Sequence, residues 1–342
     1  MAPKKRASAA PAAAGQARVA SAGGSAIALL VMLAASTVMA IAQQYLIRLA
    51  ATHKSTLSVS WTMYLADVLL ALWTRGSGPR RKRALALRLR AAAALVPVLD
   101  VAGCLLAYGS LELIGAGPFT TYFSSILPVS AAFSRVVLGK RLSGQQVCGI
   151  LVVSAGLIVR CRLSSASALG DDALGVGLAL ASTAAYAGRT VAMEWVQQQP
   201  GDVTGAELSA SIGRWGFAAL TAWQLGYTLP RWAALVAAPS AAARVTPTTA
   251  VVHHGAYVAT RAAFVLAQNQ VISRAGATGV GLVTAVRSVA VGLVSSALFC
   301  GTMPSQCMSG VQMACAAVVV AGGVTYALAA APTRAPPRRK AD

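Results

Sequence analysis

Acidic residues, histidines and aromatics are scarce in this chain. Against 29 Lys and Arg there are 9 Asp and Glu, 3 His, and 6% Phe, Trp and Tyr. No Cys/His/Asp/Glu group, with His53, His253 and His254 included, has the spacing of a metal site. There is no CxxC pair. Cys104, Cys148, Cys161, Cys300, Cys307 and Cys315 fall inside or at the edges of apolar runs, and are expected there as small packing residues. No nucleophile has a base near it in a catalytic pattern, which argues against an enzyme. No cofactor is expected.

What the chain has in abundance is apolar sequence: 56% of residues are hydrophobic and 11% charged. The apolar runs repeatedly approach the roughly 20 residues a helix needs to cross a bilayer. The expected fold is an all-α membrane protein. Ten transmembrane helices are placed at about 26–47, 57–74, 91–112, 115–138, 144–162, 173–196, 207–229, 248–272, 276–299 and 307–331.

The net charge of +20 reads as topology once its placement is followed. Ten spans put both termini on one side. Eighteen Lys and Arg flank the spans on that side, among them Lys4, Lys5, Arg6, Arg75, Arg80 to Arg83, Lys140, Arg141 and Arg338 to Lys340, and six flank them on the other. By the positive-inside rule both termini are cytosolic, and the basic residues anchor loops instead of contacting nucleic acid. The connection 197–206 is the weak point, since it carries Asp202 and no Lys or Arg. Residues 1–25, Ala/Ser-rich and basic, are expected as a disordered cytosolic tail, with an organellar transit peptide as the alternative. Residues 332–342 form a second basic cytosolic tail.

The chain also resembles itself. Gly115-Ala-Gly-Pro118, LGKRLSGQQ and Val153-Ser-Ala-Gly156 have counterparts in Gly276-Ala-Thr-Gly279, CGTMPSQCM and Val319-Val-Ala-Gly322. Repeats of five helices each must lie inverted in the membrane. The expected organisation is one repeat at 26–162, a linker at 163–172 and a second repeat at 173–331. A binding site is then expected near the midplane between the halves.

Ionisable groups inside a bilayer cost about 2.5–3.5 kcal/mol each on insertion scales, which makes each one a functional candidate. Arg261 and Arg287 lie about halfway along the eighth and ninth spans. Arg189 and Arg214 lie about two turns from the cytosolic ends of the sixth and seventh. Arg261 shares a helical face with Gln268, Arg189 with Tyr186 and Ser182, and Gln43 with Ser36. Two midplane guanidinium groups suit a carboxylate or phosphate. Arg261 and Arg287 are therefore expected to hold an anion, with Gln43, Tyr108, Gln268 and Thr284 reading the rest of the solute. The competing expectation pairs Arg261 and Arg287 with Asp67 or Asp100, and Arg189 and Arg214 with Glu194 and Glu207 as a gate network. Arg135, one turn from Lys140, is expected to snorkel to the cytosolic interface.

Ala131-Ala-Phe-Ser134, Leu138-Gly-Lys-Arg-Leu-Ser143 and Ala155-Gly156 resemble the fourth and fifth helices, and the loop between them, of the drug/metabolite transporter superfamily. Within it the chain looks like the nucleotide-sugar transporters. Gln43, Tyr64-Leu-Ala-Asp67, Val271-Ile272 and Thr284 are weaker echoes, and the resemblance spans residues 26–331. It departs from that family where a Tyr-Gln-x-Lys segment would stand, here Phe123-Ser-Ser-Ile126, and at Val280, in place of a ninth-helix lysine. Arg287 lies near a Lys-Arg pair of the sister sugar-phosphate translocators. The resemblance implies an antiporter exchanging a nucleotide sugar for a nucleoside monophosphate. A sugar-phosphate or organic-anion exchanger and an EamA-type small-solute exporter are the alternatives. Its partners would be a small anionic solute and the bilayer, with a homodimer allowed. Lys340 stands third from the chain's last residue with arginine before it, which resembles an endoplasmic-reticulum retrieval signal. That fits a Golgi or endoplasmic-reticulum address, with a plastid envelope as the alternative.

Overall fold

The structure, a computed structural model, describes residues 11–49, 52–74, 87–114, 119, 122–165, 173–199, 203–301 and 308–329. Among these there are helices and no strand. The long helices are α1 (Pro11–Leu49), α2 (Ser58–Thr74), α3 (Leu87–Ile114), α4 (Ile126–Leu138), α5 (Gly144–Ser165), α6 (Ala173–Gln198), α7 (Gly205–Trp223), α8 (Pro247–Phe299) and α9 (Gly310–Ala329). Four segments are long and apolar enough to cross a membrane: Ala26–Gln43, Leu89–Ile114, Pro247–Leu298 and Gly310–Ala329. Large apolar side chains such as Leu30, Trp73, Val98, Leu151 and Leu328 are exposed, while Asp67, Asp100, Arg189, Glu194 and Arg261 are buried. That distribution inverts the soluble pattern and is consistent with insertion in a bilayer.

Most helices follow the apolar runs; of three departures, the second and third have local causes. Helix α1 begins at Pro11, inside the stretch expected as a tail. Helix α4 is set off from the helical residues Tyr122 and Phe123 by a turn, in which Ser125 donates its hydroxyl and its amide to the Tyr122 carbonyl (2.7 and 3.0 Å). Helix α7 does not stop near 229. It continues through π-helical turns at Gln224–Thr228 and Ala233–Ala237 to a short helix at Ala238–Ala242. Each π turn ends shortly before a proline, Pro230 or Pro239, whose missing N–H and bulky ring would otherwise break the α-helical ladder.

The spans expected at 248–272 and 276–299 form one helical rod, α8, broken at Gly276, which has φ 74° and ψ −175°. We call the parts α8a (247–275) and α8b (277–299). Helices α4 and α5 are separated by Gly139, left-handed at φ 63°. Residues 1–10 of the tail expected at 1–25, the whole tail expected at 332–342, most of the linker and the loop 75–86 lie outside the described residues.

Helix α3 packs along α6, α1 along α8, α5 along α9 and α2 along α7; α8 also meets α2, α4 and α6. At the α5/α9 crossing, a methyl group on Gly156 would lie 3.0 Å from Val319 Cγ2 and 3.3 Å from the Cys315 carbonyl. One on Gly322 would lie 2.9 Å from both Val153 Cγ2 and the Gly149 carbonyl. Glycine is required at both positions by this close approach of backbones.

Candidate functional site

Between the helices lies a central cavity of about 160 Å³. Its wall is built from α1 (Met39, Gln43), α2 (Ser60, Met63), α3 (Asp100, Cys104, Tyr108), the approach to α4 (Phe119, Phe123), α6 (Tyr186, Arg189, Thr190), α8a (Tyr257, Arg261, Phe264, Gln268) and α8b (Val280, Thr284, Arg287). Gln43, Tyr108, Arg261, Gln268, Thr284 and Arg287, far apart in sequence, are thus brought to one wall.

The two midplane arginines differ. Arg261 is held by a two-point ion pair, Nε and Nη2 each donating to one oxygen of Asp67 at 3.0 and 2.9 Å, and it stacks 5.4 Å from the Phe264 ring. Arg189 donates to Asp100 Oδ1 at 2.5 Å, Tyr64 donates its hydroxyl to the other Asp100 oxygen at 2.8 Å, and Tyr186 lies 5.5 Å under the guanidinium. Arg287 has no acidic partner among the described residues; its ionisable neighbours are Tyr257, Tyr186 and Arg261. Two further wall groups are buried and unsatisfied: the Tyr108 hydroxyl, beside Ser60 but outside bonding geometry, and Arg189 Nε. Thr284 turns its hydroxyl back to the Val280 carbonyl, 2.9 Å away.

Glu194 lies one turn beyond Thr190 along α6. Its carboxylate pairs with Lys140, accepts from Gln198 Nε2 (2.9 Å), and accepts the Ala277 N–H (2.8 Å) that opens α8b. It caps a helix whose N-terminal dipole favours a negative charge. Gly276 makes the approach feasible, since a methyl group there would lie 2.7 Å from both Glu194 Oε1 and Lys140 Nζ. The loop after α4, α6 and the break in α8 are therefore tied together at one end of the cavity.

Arg214 and Glu207 stand apart from this arrangement. Arg214 is exposed, and Glu207 closes a capping box with Thr204 at the start of α7. Arg135 is exposed near the end of α4. Cys300, expected as a packing residue, is disulfide-bonded, with its partner outside the described side chains; Cys104, Cys148 and Cys315 are free thiols. Ser143 and Ser309 each close a capping box with the glutamine three residues on, Gln146 or Gln312. The shared Ser-Gly-x-Gln was the sequence signal for it, and aligning CGTMPSQCM with LGKRLSGQQ passed it by. Lys140 was legible as a basic loop anchor, but nothing local paired it with Glu194.

No protein-family model matches the chain, and no curated protein matches it. A solved structure described as "Crystal structure of protein" is similar, with a TM-score of 0.58 over 92% of this chain and 98% of that one, at 16% identity. The likeness is one of fold.

Proposed function

We propose that the chain is a secondary transporter that exchanges organic anions by alternating access, with two inverted five-helix halves rocking about the central cavity. The observation that carries this reading is Arg287, a permanent cation on a cavity wall with no acidic partner among the described residues. An unpaired guanidinium in such a place is costly unless an anion completes it.

Counting α8a and α8b separately gives ten helices, and several observations support the inverted repeat. Val153 faces Gly322 while Gly156 faces Val319, and the Gly149 and Cys315 carbonyls complete the exchange. One constant shift in sequence maps each contact onto its mate, as at a two-fold axis. The same shift maps the Ser143–Gln146 cap onto Ser309–Gln312. The helix pairings keep the same pattern: α3 with α6 answers to α1 with α8a, and α3 with α7 to α2 with α8a.

The resemblance to nucleotide-sugar transporters gives phosphorylated solutes, and nucleotide sugars first, as the cargo. The commitment of Arg261 to Asp67 and the small cavity favour the second reading, a compact organic anion or sugar phosphate. The Cys300 disulfide lies on the side assigned to the lumen, and an oxidising compartment supports a secretory-pathway address. Imaging a tagged Lys340→Ala chain beside one lacking residues 2 to 22 separates that address from a plastid envelope.

The test is exchange of radiolabelled organic anions by proteoliposomes preloaded with a panel of nucleotides, sugar phosphates and carboxylates. Arg287→Ala should lose roughly ten- to a hundredfold in affinity, the worth of one charged hydrogen bond of about 1.5–3 kcal/mol. Undiminished exchange by this variant would refute the anion site.

A further inference from the structure

The charges around the cavity can be counted, and the count is uneven. Asp67 answers Arg261, and Asp100 answers Arg189, at 2.9 and 2.5 Å. Glu194 lies beyond the wall and is taken by Lys140 and the start of α8b. Among the described residues of the wall, this leaves Arg287 as the uncompensated charge. Residues 115–118 and 120–121, which flank Phe119 in sequence, are Gly, Ala, Pro and Thr and carry no charge. The rest of the wall is uncharged: Phe119, Phe123, Tyr257 and Phe264 give it aromatic surface, and Gln43, Ser60 and Gln268 are among its few polar groups. A group entering such a site loses its water, so each charge on it needs a fixed partner.

Resting on the organic-anion reading above, we infer that the cavity selects a compact ligand carrying a single negative charge and an apolar or ring-bearing body. The anionic head pairs with Arg287. The unsatisfied Tyr108 hydroxyl and Arg189 Nε–H offer further hydrogen bonds to its oxygens. The body lies against the aromatic wall. A second negative charge would have to separate Arg261 from Asp67 or Arg189 from Asp100 to find a partner, and both pairs are buried. This ranks monoanions above the doubly charged pyrophosphates of nucleotide sugars.

Phenyl sulfate and phenyl phosphate test this, being nearly the same shape and differing by one charge at about pH 8, since a phosphate monoester loses its second proton near pH 6. Full-length protein in proteoliposomes, preloaded with unlabelled phenyl sulfate, should take up labelled phenyl sulfate at least tenfold faster than labelled phenyl phosphate. At about pH 5, where phenyl phosphate is a monoanion, the gap should close. Val280→Lys, which adds a second cation to the wall, should move the preference at about pH 8 toward phenyl phosphate. Equal uptake of both at about pH 8 would overturn the charge count while leaving anion transport standing. Uptake of neither, and of no anion in the wider panel, would overturn the organic-anion reading and this inference with it.

Discussion

Arg261 and Arg287 sit on the same wall and have opposite relations to stability. Removing one member of a buried ion pair strands the other, at about 3–5 kcal/mol, whereas replacing both with apolar groups is often neutral. Asp67→Ala and Arg261→Leu should therefore each lower the melting temperature in detergent substantially, and the double variant should lose much less than the sum. Arg287→Leu strands nothing and should melt at or above the parent, since a group kept for a ligand costs stability when the ligand is absent. If Arg287→Leu melts as low as Arg261→Leu, Arg287 has a structural partner and the division of roles is wrong. Position along the apolar runs singled out both arginines and helical phase grouped Arg261 with Gln268, and all three line the cavity. It did not say which would find a carboxylate, because Asp67 lies 194 residues from Arg261 and partner choice is settled only when α2 and α8a pack.

The element that most shapes the site is the broken rod α8. Gly276 adopts an extended positive-φ conformation that is essentially confined to glycine and costs other residues about 1–3 kcal/mol, and the break presents the α8b N-terminus to Glu194, which Lys140 also holds. If these contacts bar the cavity from the Lys140 side, losing the Glu194 carboxylate should open it. In a background without other cysteines, Val280→Cys should react with a thiol reagent added on the Lys140 side roughly ten- to a hundredfold faster once Glu194→Gln is introduced, the effect of losing one charged hydrogen bond. Equal labelling rates with and without Glu194→Gln would mean the junction is no barrier. Apolar runs made most helices legible, and the Gly-Ala-Thr-Gly at 276–279 marked this break. The continuation past 229 was not legible, since proline disfavours a helix interior and the π turns that accommodate Pro230 and Pro239 leave no mark in hydropathy.

At the scale of the whole chain, the all-helical, apolar character was the sequence's clearest signal, because it rests on many residues at once. The path by which α2, α3, α6 and α8 converge on one cavity was hidden, because it depends on contacts such as Gly213 against Asp67 and Gly175 against Ile114 that no local pattern announces. If the chain is the carrier proposed above, Arg287, the wall cation with no acidic partner among the described residues, has an electrical meaning. Empty, the moving cavity carries one positive charge; loaded with a monoanion it carries none. Reorientation of the empty form must then drag a charge through the field, worth up to about 2.3 kcal/mol per 100 mV if the crossing is complete, as well as an unsolvated guanidinium through the closed state. The loaded form escapes both penalties. One-for-one swapping becomes the easy cycle and one-way leakage the slow one, with no separate coupling device. Imposing a potassium diffusion potential on proteoliposomes should leave swapping unchanged and alter net efflux into anion-free buffer; swapping that follows the potential would show that the loaded carrier is not neutral.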